Sequence, residues 1–155
     1  MYAEPIRSLI EVRTVLDNLC DDTVLELKYY LGNDWKNKTF QIIRAIKKER
    51  FIIKLKSNNK PVGIYGLVPV NENSGGIFLL TCDDLHKGNI ITFLKSARKQ
   101  VDSWLDEYKL IMDSWYKKNE TIKKWLLLLK FKPSEFQDDN FQVWYRGNID
   151  YYKGY

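Results

Sequence analysis

A strand, a long amphipathic helix and a second strand follow one another in the middle of the chain. Residues 77–82 form a short apolar run of strand length, and residues 109–114 repeat that pattern. Between them, apolar side chains recur every three or four residues from 90 to 108, which predicts one apolar stripe on a helix of about five turns. This succession predicts a parallel crossover within one sheet.

The strands that precede this unit follow one another without a helix. Residues 51–56 and 60–68 are typical of strands, and the polar residues 57–59 between them indicate a hairpin turn. A last strand of alternating type is predicted at 141–145. An antiparallel hairpin beside a parallel crossover predicts an α/β (α+β) fold with a mixed central sheet flanked by helices.

The first fifty residues are predicted to be mainly helical. Ser8 with Glu11 has the form of a capping box, Asp21 starts a second helix, and residues 38–50 form a third. No strand is predicted before Ser8. No repeat or long linker is present, so one domain is predicted. The domain covers residues 1–155. It is divided into a helical part at about 6–50, the sheet with its cofactor-type helices at about 51–146, and an aromatic tail at 147–155.

Composition excludes several classes of protein. At 45% hydrophobic and 14% aromatic residues, the chain is globular, and it contains no apolar run of membrane-spanning length. Cys20 and Cys82 lack metal-ligand spacing and are expected to be reduced thiols. His86 is the single histidine, so no metal site is expected. The net charge of +5 permits contact with nucleic acid, which is a weaker alternative.

Residues 113–131 contain a strand end, an Asn, an amphipathic helix and a Phe that is followed by strand signals. Together with the preceding strands, this order resembles the Gcn5-related N-acetyltransferase (GNAT) fold from about residue 51 to 145. In that fold an Asn stands at the last strand-to-helix turn, and a Gly-Phe pair ends the helix. Asn119 and Phe131 match this pattern, whereas Lys130 replaces the Gly.

A narrower resemblance is to the internal virion protein A-like family of podovirus-type phages, whose members carry a GNAT-like domain. Three groups of residues support it: 61–69; 93–98 with Trp104 and Tyr108; and Asn119 with 124–126 and Phe131. The resemblance implies a bacteriophage virion or assembly-associated protein. Its partners are expected to be other phage virion or host proteins, and its location the host cytoplasm or the virion.

The GNAT resemblance implies an acetyl-CoA site at the turn after the fourth strand. The enzymes carry an Arg/Gln-x-x-Gly-x-Gly/Ala signature there, but this chain has only Gly88 before the helix. Asp83 and Asp84 add negative charge, which His86 and Lys87 partly offset. Helix N-caps are the alternative roles for Asn89 and Asn119. The candidate cofactor contacts are Leu80, His86, Lys87, Gly88, Asn89, Ile90 and Asn119.

No catalytic residue is identified. Leu126 stands seven residues after Asn119. Many enzymes of this fold have at this position a Tyr that acts as the general acid and protonates the leaving thiolate. The fourth strand offers no carboxylate as a general base, and Glu72, the candidate considered nearby, lies in the preceding loop. We therefore predict that the acetyl-CoA site is degenerate and that the chain is a non-catalytic interaction protein without a cofactor. The alternative is an acetyl-CoA-dependent N-acetyltransferase that works by positioning. The cleft between the fourth and fifth strands decides between them, and Phe78, Leu80 and Trp115 are the side chains expected to fill a closed cleft.

Overall fold

The structure is a computed structural model that describes residues 1–87 and 90–154. Its centre is a seven-stranded sheet with the order β1-β2-β3-β4-β5-β7-β6. The strands are β1 (Tyr2–Pro5), β2 (Arg50–Lys54), β3 (Pro61–Pro69), β4 (Ser74–Thr81), β5 (Leu110–Tyr116), β6 (Lys132–Gln137) and β7 (Phe141–Gly147).

Helices cover both faces of this sheet. They are α1 (Leu9–Asp17), α2 (Asp21–Leu31), α3 (Trp35–Ala45), α4 (Ile90–Glu107) and α5 (Glu120–Leu128), with short 3₁₀ helices at Asp83–Lys87 and Ile149–Tyr151. No helix of the described residues is long and apolar enough to cross a membrane.

The strand pairing confirms the predicted mixed sheet. β4 and β5 are parallel and α4 connects them, whereas β1 to β4 form an antiparallel meander and β7 pairs antiparallel with both β5 and β6. The sheet therefore has one parallel step, which lies at its centre, between β4 and β5.

Each face of the sheet has its own apolar core, because successive strand residues point to opposite sides. On one face, Val12 and Val15 of α1 and Ile43 of α3 pack against Ile52 and Ile64 of the sheet. On the other face, Phe93 and Trp104 of α4 and Trp125 of α5 pack against Ile53 and Ile111. The tryptophans predicted to be core residues at positions 104, 115, 125 and 144 are all buried.

Two strands were missed by the sequence patterns. The expectation that no strand precedes Ser8 is wrong, because β1 pairs with β2 at the sheet edge. A Glu and a Pro make β1 look unlike a strand, and Glu4 instead forms an ion pair with the buried Lys54 at 2.6 Å. β6 is the other edge strand, and it is polar, exposed and begins with a Lys-Pro pair. Edge strands tolerate such residues because one side of their backbone faces solvent.

Local details also differ from the prediction. α3 ends at Ala45, earlier than the predicted 38–50 helix, and Glu49 then adopts a φ of 58° before β2 begins. Ser8 precedes α1 as expected, but its side chain makes no capping hydrogen bond. The described part of the tail folds back onto the sheet, where Ile149 and Tyr151 pack against a small core around Leu110.

Candidate active site

The parallel strands β4 and β5 separate at the centre of the sheet. Their pairing is confined to the first residues of each strand, with Ser74 opposite Leu110 and Gly76 opposite Met112. Both strands then continue, β4 to Thr81 and β5 to Tyr116. The strands therefore diverge beyond Gly76, and the edge of β4 that faces β5 is no longer paired with it.

A cavity of about 390 Å³ lies at this divergence, on the face that α2 covers. Its walls are mainly apolar and come from α2, β4, β5 and β7, and they include Leu27, Phe78, Leu80, Met112 and Val143. On the α4–α5 face the equivalent space is only about 20 Å³, and aromatic side chains surround it: Tyr65, Phe78, Phe93, Trp104 and Trp125. The opening is thus accessible from one face of the sheet and closed on the other.

Two acidic residues from separate elements line the cavity. Glu26 projects from the second half of α2, and Asp113 lies in the middle of β5. Tyr30, one turn after Glu26, and Ser114, next to Asp113, line the same space. The Tyr116 N–H donates a hydrogen bond to Glu26 Oε1 at 3.3 Å, which links α2 to the end of β5.

Burial shifts the titration of both acids upward. It raises the pKa of Glu26 to about 7, against the opposing effects of the Tyr116 N–H and the Asn119 side chain. For Asp113, burial and then the neighbouring Glu26 charge raise the pKa well above its usual range. Asp113 is half-buried and lines the cavity. Burial favours the neutral form of both acids, and the ionised form of Glu26 can attract a cation and accept a proton.

Asn119 has a structural role at the start of α5. Its Oδ1 accepts a hydrogen bond from the Ile122 N–H at 3.2 Å, so it is the predicted N-cap. Its backbone oxygen accepts a hydrogen bond from Trp115 Nε1 at 2.8 Å. The side chain is fully buried, and Nδ2 lies near enough to Glu26 to lower its pKa, although it makes no hydrogen bond of ordinary geometry with the described residues. Asn119 thus joins α5, β5 and the surroundings of Glu26.

The predicted phosphate turn is only partly described, because Gly88 and Asn89 lie outside the described residues. Asp84 forms ion pairs with Lys60 and with Lys87, the latter at 3.3 Å. Its negative charge is therefore compensated by Lys87, as predicted, and by Lys60, which the sequence did not indicate.

The remaining candidate contacts are divided between the two faces. His86 lies beside the Trp125 ring, with 6.1 Å between ring centroids, and Ile90 packs against the α4–α5 core. Leu80 lines the cavity on the opposite face. Leu80 and Phe78 form walls of the open cavity rather than filling it, and Trp115 is buried in the α4–α5 core.

Glu26 and Asp113 were not singled out from the sequence, although each leaves a weak signal. Asp113 places a charged residue in a mainly apolar strand, Leu110–Tyr116, and Glu26 shares a helix face with Thr23 and Tyr30. A carboxylate on a buried surface is unusual and frequently functional. By contrast, Glu72 is exposed in the β3–β4 turn and is not part of the cavity wall.

Solved GNAT acetyltransferases share this fold at low sequence identity. A GNAT-family acetyltransferase from Staphylococcus aureus Mu50 superposes with a TM-score of 0.67 at 11% identity, covering 94% of this chain and 98% of that one. The GNAT domain of S. lividans PAT gives 0.66 at 7% identity, covering 94% and 89%. An acetyltransferase from Thermus thermophilus gives 0.62 at 14% identity, covering 96% and 98%.

The chain therefore has a GNAT-like fold, with the diverging strands at its centre. No family model matches the chain, and no curated protein matches its sequence. The narrower resemblance to phage internal virion proteins stays a prediction.

Proposed function

We propose that this protein transfers an acyl group from a CoA thioester to a cationic primary amine. The observation that supports this proposal is the placement of Glu26 and Asp113, which face a cavity at the point where β4 and β5 diverge. An amine at neutral pH is an ammonium ion, and it must lose a proton before it can attack a carbonyl carbon. The acid pair is suited to both requirements, since it attracts the cation and then accepts its proton.

The described residues fit a CoA thioester at this opening. Beyond Gly76, the β5-facing edge of β4 is available to hydrogen-bond an extended amide chain in the manner of an added strand. Lys60 and Lys87 compensate the charge of Asp84 near the start of α4, which reduces repulsion of a diphosphate. When bound, the thioester would supply an activated acyl carbonyl. The amine nitrogen would bond to the acyl carbon as the C–S bond breaks, and the departing CoA thiolate would take a proton from solvent.

The protein's own residues perform the proton transfer and the positioning. With a pKa of about 7, Glu26 is ionised in roughly half of the molecules at neutral pH, which is the range in which a general base is most effective. The apolar walls, including Leu27 and Met112, exclude bulk water and strengthen the attraction between a carboxylate and an ammonium ion. Burial and the Glu26 charge raise the pKa of Asp113 well above its usual range, so Asp113 favours its neutral form while Glu26 is ionised.

A second candidate is a GNAT-like binding protein without catalysis. It is favoured by Leu126, which is 1% exposed in the α4–α5 core and has no proton to donate to a leaving thiolate. A virion or assembly role in an infected bacterium, with a degenerate acetyl-CoA site, belongs to this candidate. Both that role and a location in the host cytoplasm or the virion stay predictions.

Acyl transfer to a panel of primary amines distinguishes the two candidates. We expect acetyl-CoA consumption that depends on the amine, and Glu26→Gln is expected to lower kcat/KM by about 10²- to 10⁴-fold because it removes the base. Glu72→Gln is the matched control, since it makes the same chemical change at an exposed site outside the cavity.

Thermal unfolding with acetyl-CoA provides the complementary measurement. A ligand at 100 times its dissociation constant stabilises the folded state by about 2.7 kcal/mol, which raises the midpoint by several degrees. Absence of both turnover and a thermal shift at millimolar acetyl-CoA would overturn the proposed function and favour the non-catalytic candidate.

A further inference from the structure

The cavity continues outward into a second groove, which the proton transfer described above does not require. This outer groove has a volume of about 560 Å³ and lies between α2, β6, the start of β7 and the C-terminal tail. The inner cavity and the outer groove share four lining residues, so the two spaces adjoin: Tyr30, Ser114, Val143 and Tyr152.

Aromatic rings form the walls of the outer groove. Tyr30 lies against Phe141, with ring centroids 4.8 Å apart, and Phe136 lies against Tyr152 at 4.7 Å. Tyr30 and Phe136 are 51% and 40% exposed, so their surfaces are available to a ligand. Aromatic faces pack well against methylene chains and attract cations.

The charged residues that line the two spaces are all acidic. Glu26 and Asp113 face the inner cavity, and Glu135 and Asp138 line the outer groove. Hydrogen bonds from the backbone N–H groups of Phe141 and Asn140 lower the pKa of Asp138, so it is ionised at neutral pH. Nearby Lys117 donates to the Asp138 backbone oxygen at 2.6 Å and to the Gln137 side chain at 2.9 Å. The local charge of the groove is opposite to the chain's net charge of +5.

We infer that the acceptor is an aliphatic dication. One ammonium group is bound by Glu26 and Asp113, the methylene chain passes between Tyr30 and Tyr152, and the second positive charge is bound by Glu135 and Asp138. The inference rests on the proposed function for the statement that the inner amine is acylated. A nucleic-acid backbone does not suit this groove, because phosphates and carboxylates repel one another.

The test compares butylamine with 1,4-diaminobutane, which has the same four-carbon chain and a second charge. Isothermal titration calorimetry of the full chain, without CoA, measures binding of both amines and of spermidine, which has a longer chain and a third charge. We expect the two polyamines to bind about tenfold more tightly than butylamine, since an exposed ion pair and a cation–π contact add modestly to affinity. A short peptide with two lysines shows whether the second charge comes from a free polyamine or from a polypeptide.

Variants of the outer acids locate the second charge. The double variant Glu135→Gln/Asp138→Asn is expected to reduce the preference for the dication to about twofold or less, since it removes the charges and keeps the hydrogen-bonding atoms. Asp139→Asn is the control, because Asp139 is exposed, adjacent in sequence and outside the groove lining. Equal binding of butylamine and 1,4-diaminobutane overturns the inference, as does a preference that the double variant leaves unchanged.

Acyl-transfer assays on the same amines separate this inference from the proposed function. A preference for dications in calorimetry without any acyl transfer would reject the proposed function and support the groove as a dication-binding site. Acyl transfer at equal kcat/KM to butylamine and 1,4-diaminobutane would support the proposed function and overturn the dication inference.

Discussion

The two faces of the sheet at the β4–β5 divergence have opposite characters although the same strands build them. On the α2 face a cavity of about 390 Å³ is lined in part by Glu26 and Asp113. On the α4–α5 face only about 20 Å³ remains between large aromatic side chains. Met112 and Ser114 of β5 line the cavity, whereas Ile111 and Trp115 belong to the α4–α5 core, as expected because alternate residues of a strand point to opposite sides.

This difference separates the face that stabilises the fold from the face on which the proposed acyl transfer would take place. The closed face gains free energy from close packing of buried aromatic rings. The open face contains two carboxyl groups whose ionisation burial disfavours, and such groups lower stability at neutral pH. Substitutions on the closed face are therefore expected to change the free energy of unfolding, and substitutions on the open face to change pH dependence and activity.

The largest effect on stability is expected for Trp104→Ala on the closed face. Trp104 is 2% exposed, its Nε1 donates to Glu49 Oε2 at 2.7 Å, and its ring lies 6.3 Å from that of Tyr65. Truncation should lower the free energy of unfolding, measured with urea, by about 3–5 kcal/mol. Leu27→Ala is the comparison, because Leu27 borders the open cavity, does not line the closed space and is only half-buried. An equal loss for Leu27→Ala would break the proposed division between the faces.

Glu26→Gln should change how stability depends on pH. The unfolded chain has a Glu pKa near 4.5 and the folded chain about 7, so between these values the folded state binds more protons. The contribution of Glu26 to the free energy of unfolding is therefore fully present below about pH 4.5 and is lost as the pH rises through 7. The variant avoids this loss, so its unfolding free energy relative to wild type should rise by up to about 3 kcal/mol between pH 4.5 and about pH 8.

Urea unfolding of both proteins at the two pH values measures this difference, and Glu72→Gln serves as the control for loss of an exposed carboxylate. A constant difference between Glu26→Gln and wild type across the pH range would show that Glu26 titrates normally, and the contrast between the two faces would lose its electrostatic basis.

The sequence predicted the centre of the fold because its signals are local. The apolar stripe of α4 and the strands on either side are contiguous, so periodicity alone predicts the parallel crossover. β1 was missed because it is defined by long-range pairing, with Tyr2 opposite Lys54. β6 was missed because exposed edge strands need no apolar alternation.

The candidate site was less predictable than the fold. Asn119 follows from a local helix-start signal, and the structure confirms it as an N-cap. Glu26 and Asp113 belong to different elements that only the completed fold brings to one cavity. Their raised pKa values arise from burial, which a sequence pattern does not report.

Asn119→Ala tests whether that residue supports the closed face through α5. Loss of the cap to the Ile122 N–H should lower the free energy of unfolding by about 0.5–2 kcal/mol. Asn119→Ser retains a capping oxygen and is expected to recover most of that stability. If the two variants are equally destabilised, the cap is not the source of the effect, and the buried Nδ2 near Glu26 becomes the explanation.

The smallest effect is expected at the other end of α5, where Lys130 replaces the Gly of the related fold. Lys130 has a φ of 70°, and its N–H and that of Phe131 close the helix by bonding to Leu127 and Leu126 oxygens at 3.1 and 2.9 Å. A residue with a Cβ is strained in this left-handed conformation, so Lys130→Gly should raise the free energy of unfolding by about 0.5–1 kcal/mol.

Lys130→Ala separates backbone strain from charge. Alanine keeps the Cβ and removes the positive charge that interacts favourably with the helix C-terminus, so it should bring no gain in stability. In thermal unfolding the Gly variant should melt about 2–4 °C above wild type. A matching increase for Lys130→Ala would assign the effect to the side chain. A gain confined to Lys130→Gly, with acyl transfer unchanged, would show that this departure from the GNAT pattern weakens the closed face slightly and leaves the open face intact.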